Sequence, residues 1–101
     1  MIVRIWRGRT TQAKADEYGA FLARTAHPDY SAAKGNRGWQ LLRRDVDDQV
    51  EFVLVSTWDD RDALRAYAGD EYEQPHYYPE DRAALLLPAI PIEHYELVES
   101  A

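Results

Sequence analysis

Residues 2 to 9, IVRIWRGR, alternate in polarity and are rich in β-branched and aromatic side chains, so they predict a strand. The period then changes. In TTQAKADEYGAFLARTAH, Ala15, Tyr18, Leu22 and Thr25 recur at helical spacing, while Lys14, Asp16, Glu17 and Arg24 take the opposite side. This predicts an amphipathic helix of about four turns, capped by Thr10 or Thr11 and ended by Pro28. PDYSAAKGNRG follows as a loop, broken by Gly35, Asn36 and Gly38. Residues 38 to 46 and 50 to 58, GWQLLRRDV and VEFVLVSTW, read as two strands turning at Asp47 and Asp48, an antiparallel hairpin. The second is apolar on both faces at its centre, as in a strand covered on both sides. Asp59 or Asp60 then caps a helix whose inner face is Ala63, Leu64, Tyr67 and Ala68 and which Gly69 stops. Pro79, Glu80 and Asp81 fit the first turn of a short helix running toward Pro88. Residues 90 to 98, IPIEHYELV, predict a last strand, placed at a sheet edge by Pro91.

The order β-α-β-β-α-β is that of a ferredoxin-like α+β fold, with helices on one face of a four-stranded antiparallel sheet. The strands carry apolar side chains at both parities: Val3, Ile5 and Trp6; Trp39, Leu41 and Leu42; Phe52 to Val55; Ile92, Tyr95 and Leu97. One chain leaves the second sheet face bare, an apolar patch too large for a monomer, so a second copy packed sheet to sheet is expected, giving a dimeric α+β barrel.

Length and charge narrow the function. A chain of 101 residues makes one domain, over residues 1–101. No run of 18 apolar residues suggests a membrane span, and the opening residues lack the apolar core and cleavage site of a signal peptide. With no cysteine there is no disulfide framework or thiolate nucleophile, and the cytoplasm is the expected compartment. A net charge of -6 argues against nucleic acid as a partner. The charge is uneven, however. Arg4, Arg7 and Arg9 open the chain without an acid among them, which allows a locally positive pocket for an anionic small molecule.

The candidate chemistry lies in residues 66 to 81, AYAGDEYEQPHYYPED, which hold Tyr67, Tyr72, Tyr77, Tyr78 and His76. A neutral imidazole passes protons near pH 7 and binds iron, so His76 is the leading catalytic candidate; the bland alternative is a helix cap or a solvent-facing ring. The tyrosines offer flat faces with one polar tip each and suit an aromatic slot, or else simple packing. Trp6 and Arg4 on the first strand are candidate substrate contacts. His94 is a second acid–base candidate, or a histidine hydrogen-bonded at a sheet edge. No metal-ligand spacing, phosphate loop, nucleophile elbow or dinucleotide fingerprint occurs, so neither a metal nor NAD, FAD or ATP is expected.

Four segments carry a family resemblance: MIVRIWRG, the hairpin GWQLLRRDVDDQVEFVLVSTW, the helix DDRDALRAYAG and the closing IEHYELV. Through them the chain resembles the antibiotic biosynthesis monooxygenase family of the dimeric α+β barrel superfamily. The resemblance implies a homodimer with a pocket between sheet and helices in each subunit. It implies a cofactor-independent monooxygenase acting on a phenolic or polyketide-like aromatic molecule. The alternatives are a haem-binding or haem-degrading protein using His76, and a non-catalytic dimeric binding protein. Haem-degrading members share an Asn on the first strand, a Trp on the second helix and a His after it. Those positions fall near Trp6, on Tyr67 and on His76, so the His is kept, the Trp is exchanged for another aromatic and the Asn is lost. The pocket expected from these matches is a convergence of Trp6, Tyr67 and His76, with Arg4 beside them and Tyr72, Tyr77 and His94 nearby.

Overall fold

The computed structural model describes residues 1–101. Strand β1 (Ile2–Thr11) leads into helix α1 (Gln12–Ala32), then the hairpin of β2 (Asn36–Val46) and β3 (Gln49–Trp58). Helices α2 (Arg61–Ala68) and α3 (Pro79–Ala84) and the short strand β4 (Glu93–Glu96) complete the chain. The four strands form one antiparallel sheet in the order β2-β3-β1-β4. This is the expected ferredoxin-like arrangement. Pairing runs unbroken from Ile2 opposite Trp58 to Thr11 opposite Gln49. The register puts Ile2, Arg4, Trp6, Gly8 and Thr10 of β1 on one face with Trp58, Ser56, Leu54, Phe52 and Val50 of β3. That face meets the helices.

Two apolar clusters sit between sheet and helices. Ala15, Tyr18, Phe21, Leu22, Val50, Phe52 and Ala84 form one, where the first half of α1 and the end of α3 meet the sheet. Ile2, Ala26, Tyr30, Trp58, Leu64 and Tyr72 form the other, where the end of α1 and α2 meet it. Gly8 lies where no side chain fits. A Cβ there would come within 2.5 Å of Leu85 and 2.6 Å of the Trp6 ring, so the glycine lets that indole lie flat along the strand.

The caps fall on Thr11, whose hydroxyl accepts from the Lys14 amide, and on Asp60, whose carboxylate accepts from the Ala63 amide at 2.8 Å. Gly69 ends α2 with a positive φ of 89°.

The largest departures from the sequence expectation are in α1, α3 and β4. Helix α1 does not stop at Pro28 but continues to Ala32. Proline removes the bond to the carbonyl of Arg24, yet both Arg24 and Pro28 are exposed, so water can satisfy that carbonyl. The extra turn buries Tyr30 to 7% exposure against Trp39, Trp58 and Tyr67, which offsets the lost bond. The expected loop of 11 residues shrinks to a turn at Gly35, where φ is 86°. Helix α3 ends at Ala84 rather than near Pro88, because the Leu86 amide bonds the Arg9 carbonyl and draws the chain onto β1. Strand β4 is four residues rather than nine; Pro88 and Pro91 have no amide to offer, and pairing with β1 begins only at Glu93.

The mid-helix proline yields a test. Pro28→Ala restores the amide to Arg24 and should stabilise the fold by about 1 kcal/mol or more. A higher urea midpoint is the expected reading, and a lower one would show that the helix depends on the proline.

Candidate functional site

Helices α1 and α2 lie on the same sheet face and share the second apolar cluster, and a gap remains beside it, between them and the segment that follows α2. It is a half-open cavity of about 620 Å³. Arg4, Trp6 and Leu54 from the sheet line it, together with Phe21, Asp29 and Tyr30 from α1, Tyr67 from α2, and Gln74, His76 and Tyr78 from the segment that follows. The walls are largely aromatic, with ring separations of 5.4 Å for Tyr30–Tyr67 and 4.8 Å for Trp58–Tyr67. Such walls suit a flat apolar guest.

Arg4 is the only Arg or Lys in the lining. Its Nη1 donates to the Tyr72 carbonyl at 2.6 Å and meets His94 Nε2 at 3.1 Å. No carboxylate forms an ion pair with it, whereas Arg7, Arg9, Arg37, Arg43, Arg44 and Arg65 all have one. Burial lowers its pKa from the usual arginine value; arginine side chains in proteins keep their charge. Tyr30 and Tyr67 are the groups that interact with it electrostatically inside the cavity. Burial raises the pKa of both phenols, and Arg4 only partly opposes this. They therefore stay protonated, offer hydroxyl groups to a guest, and leave the Arg4 charge uncompensated.

His76 stands at the rim. Its ring meets Tyr78 edge to face at 5.7 Å and its nitrogens make no side-chain hydrogen bond. Pro75 precedes it, and the imidazole is exposed. Two carboxylates share the lining. Asp29 accepts a long bond of 3.4 Å from the Tyr78 hydroxyl. Asp81 is buried and satisfied by the Tyr18 hydroxyl and the Tyr78 amide, each at 2.7 Å. Burial and the Asp81 carboxylate hold Tyr18 protonated by raising its pKa.

Four of the seven residues singled out in the sequence, Arg4, Trp6, Tyr67 and His76, therefore line one cavity. Three do not. Tyr72 is buried one layer behind Arg4, its hydroxyl accepting from Arg61 at 3.1 Å. His94 lies beside it, with the two rings edge to face at 5.1 Å. Tyr77 lines a second, smaller hollow of about 250 Å³ formed with Arg82 and Leu85 to Leu87. Each of the three was placed by nearness in sequence or by strand parity, and neither resolves how deep a side chain lies within the layer between sheet and helices. Tyr30 and Asp29 were missed. Both ride on the turn of α1 that lies beyond Pro28, and only a helical phase carried through the proline would have aimed them inward.

The family profile described as antibiotic biosynthesis monooxygenase matches residues 1–74. The chain belongs to this family. Solved structures of the same fold include the haem-degrader MhuD from Mycobacterium tuberculosis with two haems bound in its active site. It is 23% identical with a TM-score of 0.67, and the match covers 100% of this chain and 99% of that one. SnoaB, a cofactor-independent oxygenase from Streptomyces nogalater, is 22% identical over 98% of this chain and 95% of its own, with a TM-score of 0.66. A putative antibiotic biosynthesis monooxygenase from Nitrosomonas europaea is 17% identical over 98% of this chain and 100% of its own, with a TM-score of 0.71. At these identities the likeness establishes the fold. No curated protein matches the chain.

The pairing of His94 with a cation can be checked in solution. Burial first, then Arg4 and Arg61, depress the His94 pKa below the usual histidine value, with Glu73 opposing them. Arg4→Met removes one of the two cations and should move the His94 titration upward. NMR titration of the imidazole carbons reads this directly; an unchanged or lower midpoint contradicts the contact.

Proposed function

We propose that this family member is a cofactor-independent oxygenase that takes a flat, weakly acidic aromatic molecule into the cavity. The observation that carries the reading is the uncompensated Arg4 guanidinium in an aromatic-walled cavity that has a free imidazole at its rim. Sandwiched beside Trp6 and Tyr67, a phenol or anthrone-like guest gives up its hydroxyl proton to His76. The resulting negative charge spreads through the ring system to a second oxygen held at Arg4, and hydrogen bonds from protein hydroxyls stabilise it further. An electron-rich phenolate can reduce molecular oxygen by one electron without a cofactor, and recombination of the radical pair forms a carbon–oxygen bond. If the attacked carbon is a CH₂, loss of water from the hydroperoxide leaves a carbonyl, and the four electrons that reduce oxygen all come from that carbon. SnoaB, a cofactor-independent oxygenase of the same fold, supports this reading. The substrate class is the one that the family resemblance implies.

The same free imidazole favours a second reading, haem binding. His76 would ligate the iron, Arg4 would pair with a propionate, and the bound group would supply oxygen activation. MhuD with its bound haems supports this reading. Trp6 weighs against haem degradation, since its ring occupies the place that a hydrogen-bonding Asn has in the haem-degrading pattern and offers no carbonyl or amide there. Haemin addition separates the readings: a Soret shift lost in His76→Ala belongs to haem binding. Oxygen uptake with a panel of phenols, in the absence of metal and haem, belongs to the oxygenase. Loss of the base should slow that turnover by roughly a hundredfold in His76→Ala. Turnover unchanged by the substitution would make His76 a bystander, and phenol binding with no uptake at all would indicate a binding protein.

The assembly we propose is a homodimer joined through the open sheet face. Val3, Ile5, Leu42, Val53, Val55 and Tyr95 share that face by register with the charge pairs Arg7–Glu93 and Arg9–Glu51–Arg44. Glu51 is only 3% exposed although no helix covers it, because the two arginines close over it. Three arginines against two glutamates leave the face one net positive charge, so most of its charge is already paired within the subunit when it meets its own image. Light scattering at micromolar concentration should give twice the 11.7 kDa chain mass; a monomer refutes the assembly.

A further inference from the structure

At its back, Arg4 is held by two acceptors from the protein. A guanidinium has five N–H donors. Nη1 uses both of its hydrogens on protein, one toward the Tyr72 carbonyl and one toward His94 Nε2. Nε and Nη2 make no hydrogen bond to the protein. These two nitrogens share one edge of the planar group, so their parallel N–H bonds form a fork that matches two oxygen atoms side by side. We infer that His94 is a positioning residue which, with the Tyr72 carbonyl, locks Arg4 so that this free edge grips a two-oxygen monoanion on the aromatic guest: a carboxylate, or an ionised hydroxyl beside a carbonyl. The inference deepens the anion-binding part of the proposed function and rests on that reading of the cavity, but not on oxygen chemistry.

The role of His94 follows from donor bookkeeping. Arginine has no acceptor, so Nε2 must present its lone pair and the imidazole proton must sit on Nδ1. His94 is thus neutral when it holds Arg4. The groups around it enforce that state. Arg4 on β1 and Arg61 on α2 are cations facing it, and the Tyr72 ring packs edge-on against it. Glu73 is the one carboxylate that opposes them. A lysine-like or protonated partner at this place would push the guanidinium away. A neutral acceptor with a fixed lone pair fixes the rotation of the Nη1 amino group, and with it the plane of the whole fork. Tyr72 contributes through its backbone, so its side chain is free to brace His94 and Arg61 instead.

The test reads binding to the full-length protein at neutral pH, with three probes of matched shape: naphthoate, an ionised hydroxynaphthoquinone and the neutral naphthamide. At least one of the two anions should bind about tenfold or more tightly than the amide, as expected of a charge-assisted pair. Preference for one anion tells whether the native guest carries a carboxylate or a hydroxy-carbonyl unit. His94→Leu should abolish most of the anion's advantage and leave naphthamide unchanged. His94→Gln, whose amide oxygen restores an acceptor, should recover it. In an Arg4→Met background His94→Leu should have no further effect, because the two substitutions break the same link. Should His94→Leu fail to fold, His94→Phe makes the same comparison with a ring that lacks an acceptor. Equal affinity of the wild-type protein for all three probes, including no binding of any, overturns the inference. So does a His94 effect that persists without Arg4, or failure of the glutamine to rescue. An absence of oxygen uptake would sink the oxygenase reading and leave this one standing.

Discussion

A positive charge held off the solvent without a negative partner is the constraint around which this site is organised. Most arginines of the chain are spoken for by a carboxylate. Arg4 instead receives a backbone carbonyl and an imidazole lone pair, which satisfy hydrogen bonds but cancel no charge. An opposite charge at about 4 Å is worth ~1 kcal/mol in open water and ~4 kcal/mol where the effective dielectric is about 20. Partial burial thus raises the value of any anion that reaches the cavity. The sheet register makes the arrangement possible: Arg4 pairs with Ser56 on one side and His94 on the other, so its neighbours on the helix-facing side are small or neutral.

The fold was largely written in the chain's periodicity. Alternation set the strands, the Asp47–Asp48 turn set the hairpin, and Asp60 and Gly69 bounded α2, because each of these signals is local and acts within a few residues. What failed was nonlocal. Pro28 is a strong stop signal by itself, but the Tyr30 side chain gains a buried place among Trp39, Trp58 and Tyr67 only if the helix continues. Tertiary packing outweighed the local rule. The start of β4 is set by a local signal instead: its apolar pattern begins at Ile90, but Pro91 has no amide to offer and the ladder begins only at Glu93.

The site was legible to a similar depth. Arg4, Trp6 and Tyr67 could be placed because strand parity and helix phase are enough to send a side chain to the layer between sheet and helices. His76 could be placed because Pro75 and the end of α2 limit where the chain goes next. Tyr72 and His94 required depth within that layer. Whether a side chain reaches the cavity or supports one that does depends on contacts from α2 to β4, and no sequence period encodes those. Behind Arg4 they turn out to be its fastening rather than its company.

The remaining charges in the lining set a direction for the guest. Asp81 already receives two donors and is quiet, while Asp29 receives only a long bond from Tyr78 and keeps most of its field. Asp29 lies on α1 and Arg4 on the sheet, so the cavity is negative toward one wall and positive at its floor. An anionic head is repelled by the first and attracted by the second, and both effects turn it toward β1. The aromatic body must then extend between Tyr30 and Tyr67 toward the rim where His76 stands. A guest with a single acidic oxygen therefore faces a conflict: with its oxygen on Arg4, the proton to be removed lies away from the rim base. A guest with oxygens at both ends of its ring system resolves it, one held as the anion at the floor and the other presented to His76. Under the oxygenase reading proposed above, the separation of cation and base across one aromatic slot favours a multiply oxygenated polycyclic ring system over a simple phenol.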